Sequence, residues 1–247
     1  MAIRAVLWDI DDTIFDYAGA DRAGLRNHLR HEGLPDGYDT VGQALDRWEE
    51  LTALHWARFA AGECDFPGQR RDRVRDFLGR ALTDEEADAY FARHVAHYEA
   101  AWALFPDAVP VLDLLAGEYR HAVLSNSAFE HQDRKLRTLG VRDRFEALLC
   151  AVELGVSKPE AAAFHAACDV LGLAPHEVAY VGNEPDIDAR GAADAGLHGI
   201  WLDRLRIGWP PELGGPPRGV RGRITGLAEL PGLLRGDTRF GAVTGIG

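Results

Sequence analysis

The chain has 247 residues and a formal charge of −12, with 47% hydrophobic and 27% charged residues. That is the balance of a soluble globular protein, long enough for one large domain or for a core with a smaller inserted one. The acidic excess argues against a general nucleic-acid surface, although an acidic protein can still hold a small anion in a local basic pocket. Arg22, Arg26 and Arg30, or Arg70, Arg71 and Arg73, are the stripes that would form such a pocket if they are not simply solvated. Cys64, Cys150 and Cys168 are too few and too widely spaced for a disulfide framework or a cysteine zinc site. No long apolar segment opens the chain and no later run reaches membrane-spanning length. A cytoplasmic protein without membrane attachment is expected.

In chain order, Ile3 to Trp8 reads as a first, buried strand. From about Asp16 to Trp102 the pattern turns helical. Candidate helices are Ala18 to His31, Thr40 to Ala60, Arg70 to Leu78, and a segment led by the capping box at Thr83 that runs to about Tyr98. Strand and helix then alternate. A helix at Val109 to Leu115 precedes a strand at His121 to Leu124, and a polar helix ends at Leu139 and Gly140. Phe145 to Cys150 is the next strand, Glu160 to Leu171 a helix closed by Gly172, and Val178 to Val181 another strand. A helix within Asp186 to Ala195 and a final strand at Gly199 to Leu202 complete the pattern. The order predicts an α/β fold: a doubly wound, mostly parallel, Rossmann-like sheet with an inserted small all-helical domain. The expected bounds are 1–15 and 103–235 for the core, 16–102 for the insertion and 236–247 for a peripheral tail. Ile224 to Leu234 is expected to pack as a short element.

The chemistry concentrates where apolar strands stop. Asp9 and Asp11 follow the first strand closely, at the sheet end where open α/β folds hold ligands. Two carboxylates so close repel unless a cation or a proton lies between them. Asp9 is the candidate nucleophile toward phosphorus and Asp11 the candidate acid/base, although an acidic strand end also serves as a plain solvated turn. Thr13 would orient the turning backbone after Asp11. Ser125 and Asn126 end another strand and offer donors to phosphate oxygens. Lys158, in Ser157-Lys158-Pro159, would neutralise Asp9 and a phosphoryl group if it points inward. After Gly182, the oxygen-bearing side chains of Asn183 to Asp188 suit magnesium, with Asp188 the better acidic candidate and Asn183 offering a neutral carbonyl oxygen.

Asp9-Ile10-Asp11-Asp12-Thr13, Ser125-Asn126, Lys158 and the Gly182 to Asp188 loop, in that order, resemble the four motifs of the haloacid dehalogenase superfamily of aspartate-nucleophile phosphohydrolases. The likeness spans about residues 3–235 and makes the helical insertion similar to that family's small cap, which closes over substrate. It implies Asp9 as nucleophile, Asp11 as acid/base, and Ser125 and Lys158 as phosphate-binding groups. Magnesium would be held by the Asp9 side chain, the Asp11 backbone carbonyl and the last motif, here Asn183 and Asp188. The implied substrate is a small phosphorylated metabolite, a sugar phosphate or nucleoside monophosphate. The family's dehalogenases lack the acid/base aspartate, so Asp11 favours a phosphatase. Asn183 departs from the pattern, which has aspartate there. The competing expectations are a phosphomutase, a 2-haloacid dehalogenase and a noncatalytic interaction protein on the same scaffold. Tyr17, Trp48, Trp56 and Arg58 are candidates for a pocket or for the cap core, and both monomer and homodimer are compatible with the sequence.

Overall fold

The structure is a computed structural model that describes residues 2–213 and 215–236. The chain divides into two compact units. One is Tyr17–Trp102, and the other holds the described residues up to Asp16 and from Ala103 onward. Among the described residues no helix is long and apolar enough to cross a membrane.

The larger unit is built on a six-stranded sheet. Its strands are β1 (Ala5–Trp8), β2 (Arg120–Ser125), β3 (Ala147–Cys150), β4 (Val178–Gly182), β5 (His198–Leu202) and β6 (Gly222–Ile224), in the order β3-β2-β1-β4-β5-β6. Every pairing is parallel, with Trp8 opposite Val123 on one side and Val181 on the other. Strands covered on both faces need apolar residues throughout, and Ala5 to Trp8 are completely buried. The chain winds outward from β1 through β2 and β3, then returns to the other side of β1 for β4 to β6. The order therefore reverses between β1 and β4, which places a crevice at their carboxyl ends.

β6 is an additional strand beyond the Gly199 to Leu202 strand that the sequence suggests as the last. It is only three residues long, follows a Gly/Pro-rich stretch and sits at the sheet edge, so it carries almost no periodic signal. One face of the sheet packs Leu7, Leu124 and Tyr180 against Phe164, Ala167 and Leu171 of α8 (Ala161–Leu171). Helix α5 (Ala108–Leu115) buries Ala108, Val111, Leu112 and Leu115, and α10 (Leu230–Leu234) packs on it. The proposed tail lies outside the described residues, apart from Gly236.

The helix expected within Asp186 to Ala195 is present as the short α9 (Gly191–Asp194), and a π-helical turn, Pro185–Arg190, leads into it. Pro185 has no backbone donor to give, and the carbonyl of Glu184 accepts from both Asp188 N (2.9 Å) and Ala189 N (3.4 Å), which widens the turn.

The smaller unit is all helical: α1 (Tyr17–Glu32), α2 (Val41–Ala60), α3 (Phe66–Leu78) and α4 (Asp84–Ala100). Capping boxes start α2 at Thr40 with Gln43 and α4 at Thr83 with Glu86. Leu25, Leu45, Trp48, Leu51, Val74, Phe77 and Phe91 form its core, while Leu54 and Trp56 of α2 are exposed. Gly24 lets α1 meet α4 at backbone distance, since a Cβ there would lie 2.6 Å from Tyr98 Cα.

Candidate active site

Asp9 extends β1 by one hydrogen bond, its N–H donating to Val181 O of β4 (2.9 Å). The chain then turns tightly. Ile10 O accepts from the backbones of Thr13, Ile14 and Phe15, and Asp12 takes φ +55°, a left-handed conformation that aspartate tolerates better than most residues. Burial of Ile10, Ile14 and Phe15 fixes this loop, and Arg204 braces it from outside, donating to Thr13 O (2.8 Å) while paired with Asp107 (2.9 Å). Thr13 Oγ1 donates to Asp9 Oδ2 (3.1 Å), so its hydroxyl orients the carboxylate itself.

Lys158 lies beside it, 4% exposed. Its three ammonium protons match three acceptors: Asp9 Oδ1 (2.8 Å), Asp188 Oδ1 (2.7 Å) and Tyr180 Oη (2.6 Å). Tyr180 in turn donates to Leu124 O (2.9 Å). Lys158 thus compensates charge and bridges two carboxylates, with no ammonium proton left over for a phosphate oxygen in this arrangement. Burial alone would lower the Lys158 pKa, but Asp188 and Asp9 overcome that and hold it well above the ordinary ammonium range. Asp9 is pushed up to about 7, first by burial. Lys158 opposes that rise, while Asp188 and Asp11 add to it.

Asp188 reaches this cluster because the wide turn brings it back over Gly182. A Cβ on Gly182 would stand 2.2 Å from Asp188 Oδ2, so only glycine permits the approach. Glu184 N donates to that same oxygen (2.9 Å). Asn183 is fixed through its backbone, whose carbonyl accepts from Trp201 Nε1 (2.9 Å), and its side-chain amide takes no part in the bonds that hold the loop.

Asn126 works on Lys158. Its Nδ2 donates to Lys158 O and its Oδ1 accepts from Lys158 N, both at 2.8 Å, so the amide clamps the lysine's peptide and does not present itself to phosphate. Ser125, 2% exposed, ends β2 and accepts from Gln132 Nε2 (3.1 Å). Gln132 also donates to Asp11 Oδ2 (2.8 Å), and Lys135 Nζ pairs with Asp11 Oδ1 while lying 4.2 Å above the Phe15 ring. Both belong to α6 (Phe129–Thr138) and both are buried. Gln132, Lys135 and Tyr180 are absent from the sequence-based candidates. The i,i+3 spacing of Gln132 and Lys135 was the available signal, but in a helix so polar it reads as solvated surface.

The model of the haloacid dehalogenase-like hydrolases matches residues 3–196. The chain belongs to this family. Among curated relatives of this haloacid dehalogenase-like hydrolase, the phosphoserine phosphatase of Thermus thermophilus is 30% identical, over 82% of this chain and 89% of its own. The glyceraldehyde 3-phosphate phosphatase of Methanopyrus kandleri is also 30% identical, over 82% and 84%. The fold matches that of YfnB from Bacillus subtilis, solved bound to magnesium, with a TM-score of 0.78, 20% identity, and coverage of 95% of this chain and 99% of that one.

Whether the hydrolase's own residues suit magnesium turns on donor type and charge. Among the described residues no group of three or more His, Cys, Asp or Glu side chains is placed to hold a metal ion. Magnesium does not need one, because it commonly keeps water and takes one or two carboxylates with substrate phosphate. The available donors are hard oxygens: the Asp9 carboxylate, the Asp11 carbonyl and the Asn183 amide, with Asp188 beside them. Three carboxylates, Asp9, Asp11 and Asp188, are met by two ammonium groups, Lys158 and Lys135, so the cluster carries one uncompensated negative charge. The residues therefore fit a divalent cation.

Proposed function

We propose that this haloacid dehalogenase-like hydrolase is a magnesium-dependent phosphatase that hydrolyses the phosphate monoester of a small metabolite through an aspartyl-phosphate on Asp9. The observation that carries the reading is the contrast between two neighbouring carboxylates. Asp9 is buried and oriented by Thr13 and Lys158, whereas the Asp11 side chain is 35% exposed and held on both oxygens by Gln132 and Lys135. Lys158 favours the ionised form of Asp9 that attacks, and the more exposed Asp11 can exchange protons with solvent.

In the first step Asp9 attacks phosphorus, the ester P–O bond breaks, and Asp11 gives its proton to the departing oxygen. In the second, Asp11 takes a proton from water as that water attacks phosphorus, the bond to Asp9 breaks, and inorganic phosphate leaves. Lys158 keeps Asp9 compensated throughout, and Asn126 and Tyr180 keep Lys158 in place. The hydroxyl of Ser125 is the side-chain donor at the end of β2 for a phosphoryl oxygen. Magnesium, held by Asp9, the Asp11 carbonyl and Asn183, supplies positive charge at the phosphoryl oxygens when bound.

The relatives named for phosphoserine and glyceraldehyde 3-phosphate support a small phosphorylated metabolite, and sugar phosphates and nucleoside monophosphates belong in the same panel. Phosphate release from such a panel, with and without magnesium and beside D9N, tests the reading. Metal-dependent release that D9N abolishes is expected. Halide release from a 2-haloacid, isomerisation without free phosphate, or no turnover at all would instead support a dehalogenase, a mutase or a noncatalytic scaffold.

A further inference from the structure

Within the turn that follows Asp9, the peptide unit joining Thr13 to Ile14 is held at both ends. Its N–H, from Ile14, donates to Ile10 O (3.0 Å), and its carbonyl, from Thr13, accepts from Arg204 Nη2 (2.8 Å). Thr13 is fully buried, so water does not stand in for that donor. The plane of this peptide sets the backbone from which the Thr13 hydroxyl reaches Asp9 Oδ2 (3.1 Å). A guanidinium far along the chain therefore bears on the candidate nucleophile through a single residue.

Arg204 is anchored on every side for this contact. It follows the end of β5, where Asp203 N donates to Ile224 O (2.8 Å). The buried Asp203 carboxylate accepts from Ile207 N (3.1 Å), Gly208 N (2.9 Å) and Arg223 Nε (2.7 Å), which fixes the base of the loop. The guanidinium carbon lies 3.8 Å from the Phe105 ring centroid, and Phe105 N donates to Ile14 O (3.0 Å) of the same turn.

The pairing with Asp107 is end-on: Nη1 donates to Oδ2 (3.1 Å) and Nη2 to Oδ1 (2.9 Å). Leu227 N places that carboxylate by donating to Oδ2 (2.9 Å). In this pose Arg204 Nε is buried without a hydrogen-bond partner among the described residues. A side-on pair would employ Nε. The end-on pair gives it up, at the cost of a buried unpaired donor, and brings Nη2 to Thr13 O. The ion pair is thus oriented toward the turn.

We propose that Arg204 is a positioning residue for Asp9, acting through the Thr13 peptide. It locks the turn in the conformation in which the Thr13 hydroxyl holds one oxygen of the nucleophile while Lys158 holds the other. Its effect on turnover rests on the phosphatase reading, whereas its effect on the turn does not.

The test removes the guanidinium and returns it from solution. In Arg204→Ala, kcat for p-nitrophenyl phosphate with magnesium is expected to fall by about thirtyfold or more, the scale of a misplaced reacting group. KM should stay within about twofold, because a nucleophile's aim acts on the chemical step and not on substrate affinity. Guanidinium chloride far below denaturing concentration should restore part of the loss, since the Arg204 side chain is 18% exposed and Asp107 remains to capture the ion. Arg204→Ala with Asp107→Asn, which removes the stranded carboxylate and so protects the fold, should be as slow and should not respond. Arg120 makes the same kind of contacts, with Glu146 (2.5 Å) and Leu171 O (2.7 Å), at the far end of β2. Arg120→Gln should therefore lower Tm and leave kcat unchanged.

Hydrogen exchange reads the turn without turnover. Amides of the Asp9–Phe15 segment should exchange about tenfold faster in Arg204→Ala, slow again with guanidinium, and stay unchanged in Arg120→Gln. Unchanged exchange in that segment of Arg204→Ala overturns the proposal, as does faster exchange with kcat undiminished, or an equal loss of kcat in Arg120→Gln. If the unaltered protein releases no phosphate, the phosphatase reading falls, and exchange with and without guanidinium decides the claim about the turn.

Discussion

Replacing Lys158 by methionine would leave Asp9 and Asp188 facing a shared space with no cation between them. The lysine contacts them at 2.8 and 2.7 Å, and both carboxylates are more than nine-tenths buried. Three charge-assisted hydrogen bonds would vanish, two of them to carboxylates. Removing one member of a buried ionic cluster typically costs about 3–5 kcal/mol, because the remaining charges keep their desolvation penalty without their partner. For a chain of this size that corresponds to a fall of roughly 6–20 °C in Tm. Circular dichroism melts at pH 7.5 without divalent cations would measure it.

Asp188→Asn in the same background removes one of the stranded charges, so K158M with D188N should be less destabilised than the sum of the single changes by about 2 kcal/mol. Magnesium should raise the Tm of K158M more than that of the unaltered protein, since a cation then replaces the missing charge. A loss below about 1 kcal/mol for K158M, or strict additivity with D188N, would refute the ionic account of this cluster.

Gly182→Ala places a methyl 2.2 Å from the Asp188 carboxylate, so that side chain must move, and kcat/KM should fall by about a hundredfold or more on a phosphate substrate. Lys135→Met frees one oxygen of Asp11. The predicted result is a fall in kcat of about ten- to a hundredfold with little change in KM, and an equal fall in the Gln132→Ala protein would indicate that the pair acts together. Asn183→Asp replaces a neutral proposed ligand by a carboxylate, and the magnesium concentration for half-maximal activity should fall by about tenfold. In the helical unit, burial first, then His94, lowers the His28 pKa to about 4 from 6.5. The unfolded chain therefore binds more protons than the folded one between those values, and this contribution to stability is lost as pH falls from 6.5 to 4. His28→Leu should flatten that part of the stability profile in denaturant melts followed by circular dichroism.

The carboxyl ends of β1, β2 and β4 were legible because each apolar run stops abruptly at polar residues: Asp9 after Trp8, Ser125 after Leu124, Asn183 after Gly182. Strand alternation then sufficed to bring distant residues to one rim. The supporting groups were not legible in the same way. Tyr180 is one more apolar-looking residue within a buried strand, and only its hydroxyl contact with Lys158 reveals its part. Gln132 and Lys135 face inward from a helix whose other residues are mostly polar, so their burial depends on the sheet beneath and not on local pattern. The roles of Asn126 and Lys158 were mixed in the same way, since sequence shows which donors are present but not which acceptors use them up. β6 and the wide turn at Pro185–Arg190 depend on tertiary pairing and on one widened hydrogen-bond ring, neither of which leaves a periodic trace.

The most direct test of the central claim is to trap the covalent intermediate. Radiolabelled substrate mixed with the D11N protein and quenched in acid should leave its phosphoryl group on the peptide that contains Asp9, with none retained when D9N is added to the same background. Steady phosphate release by the unaltered protein without any phosphoryl group on that peptide would contradict it.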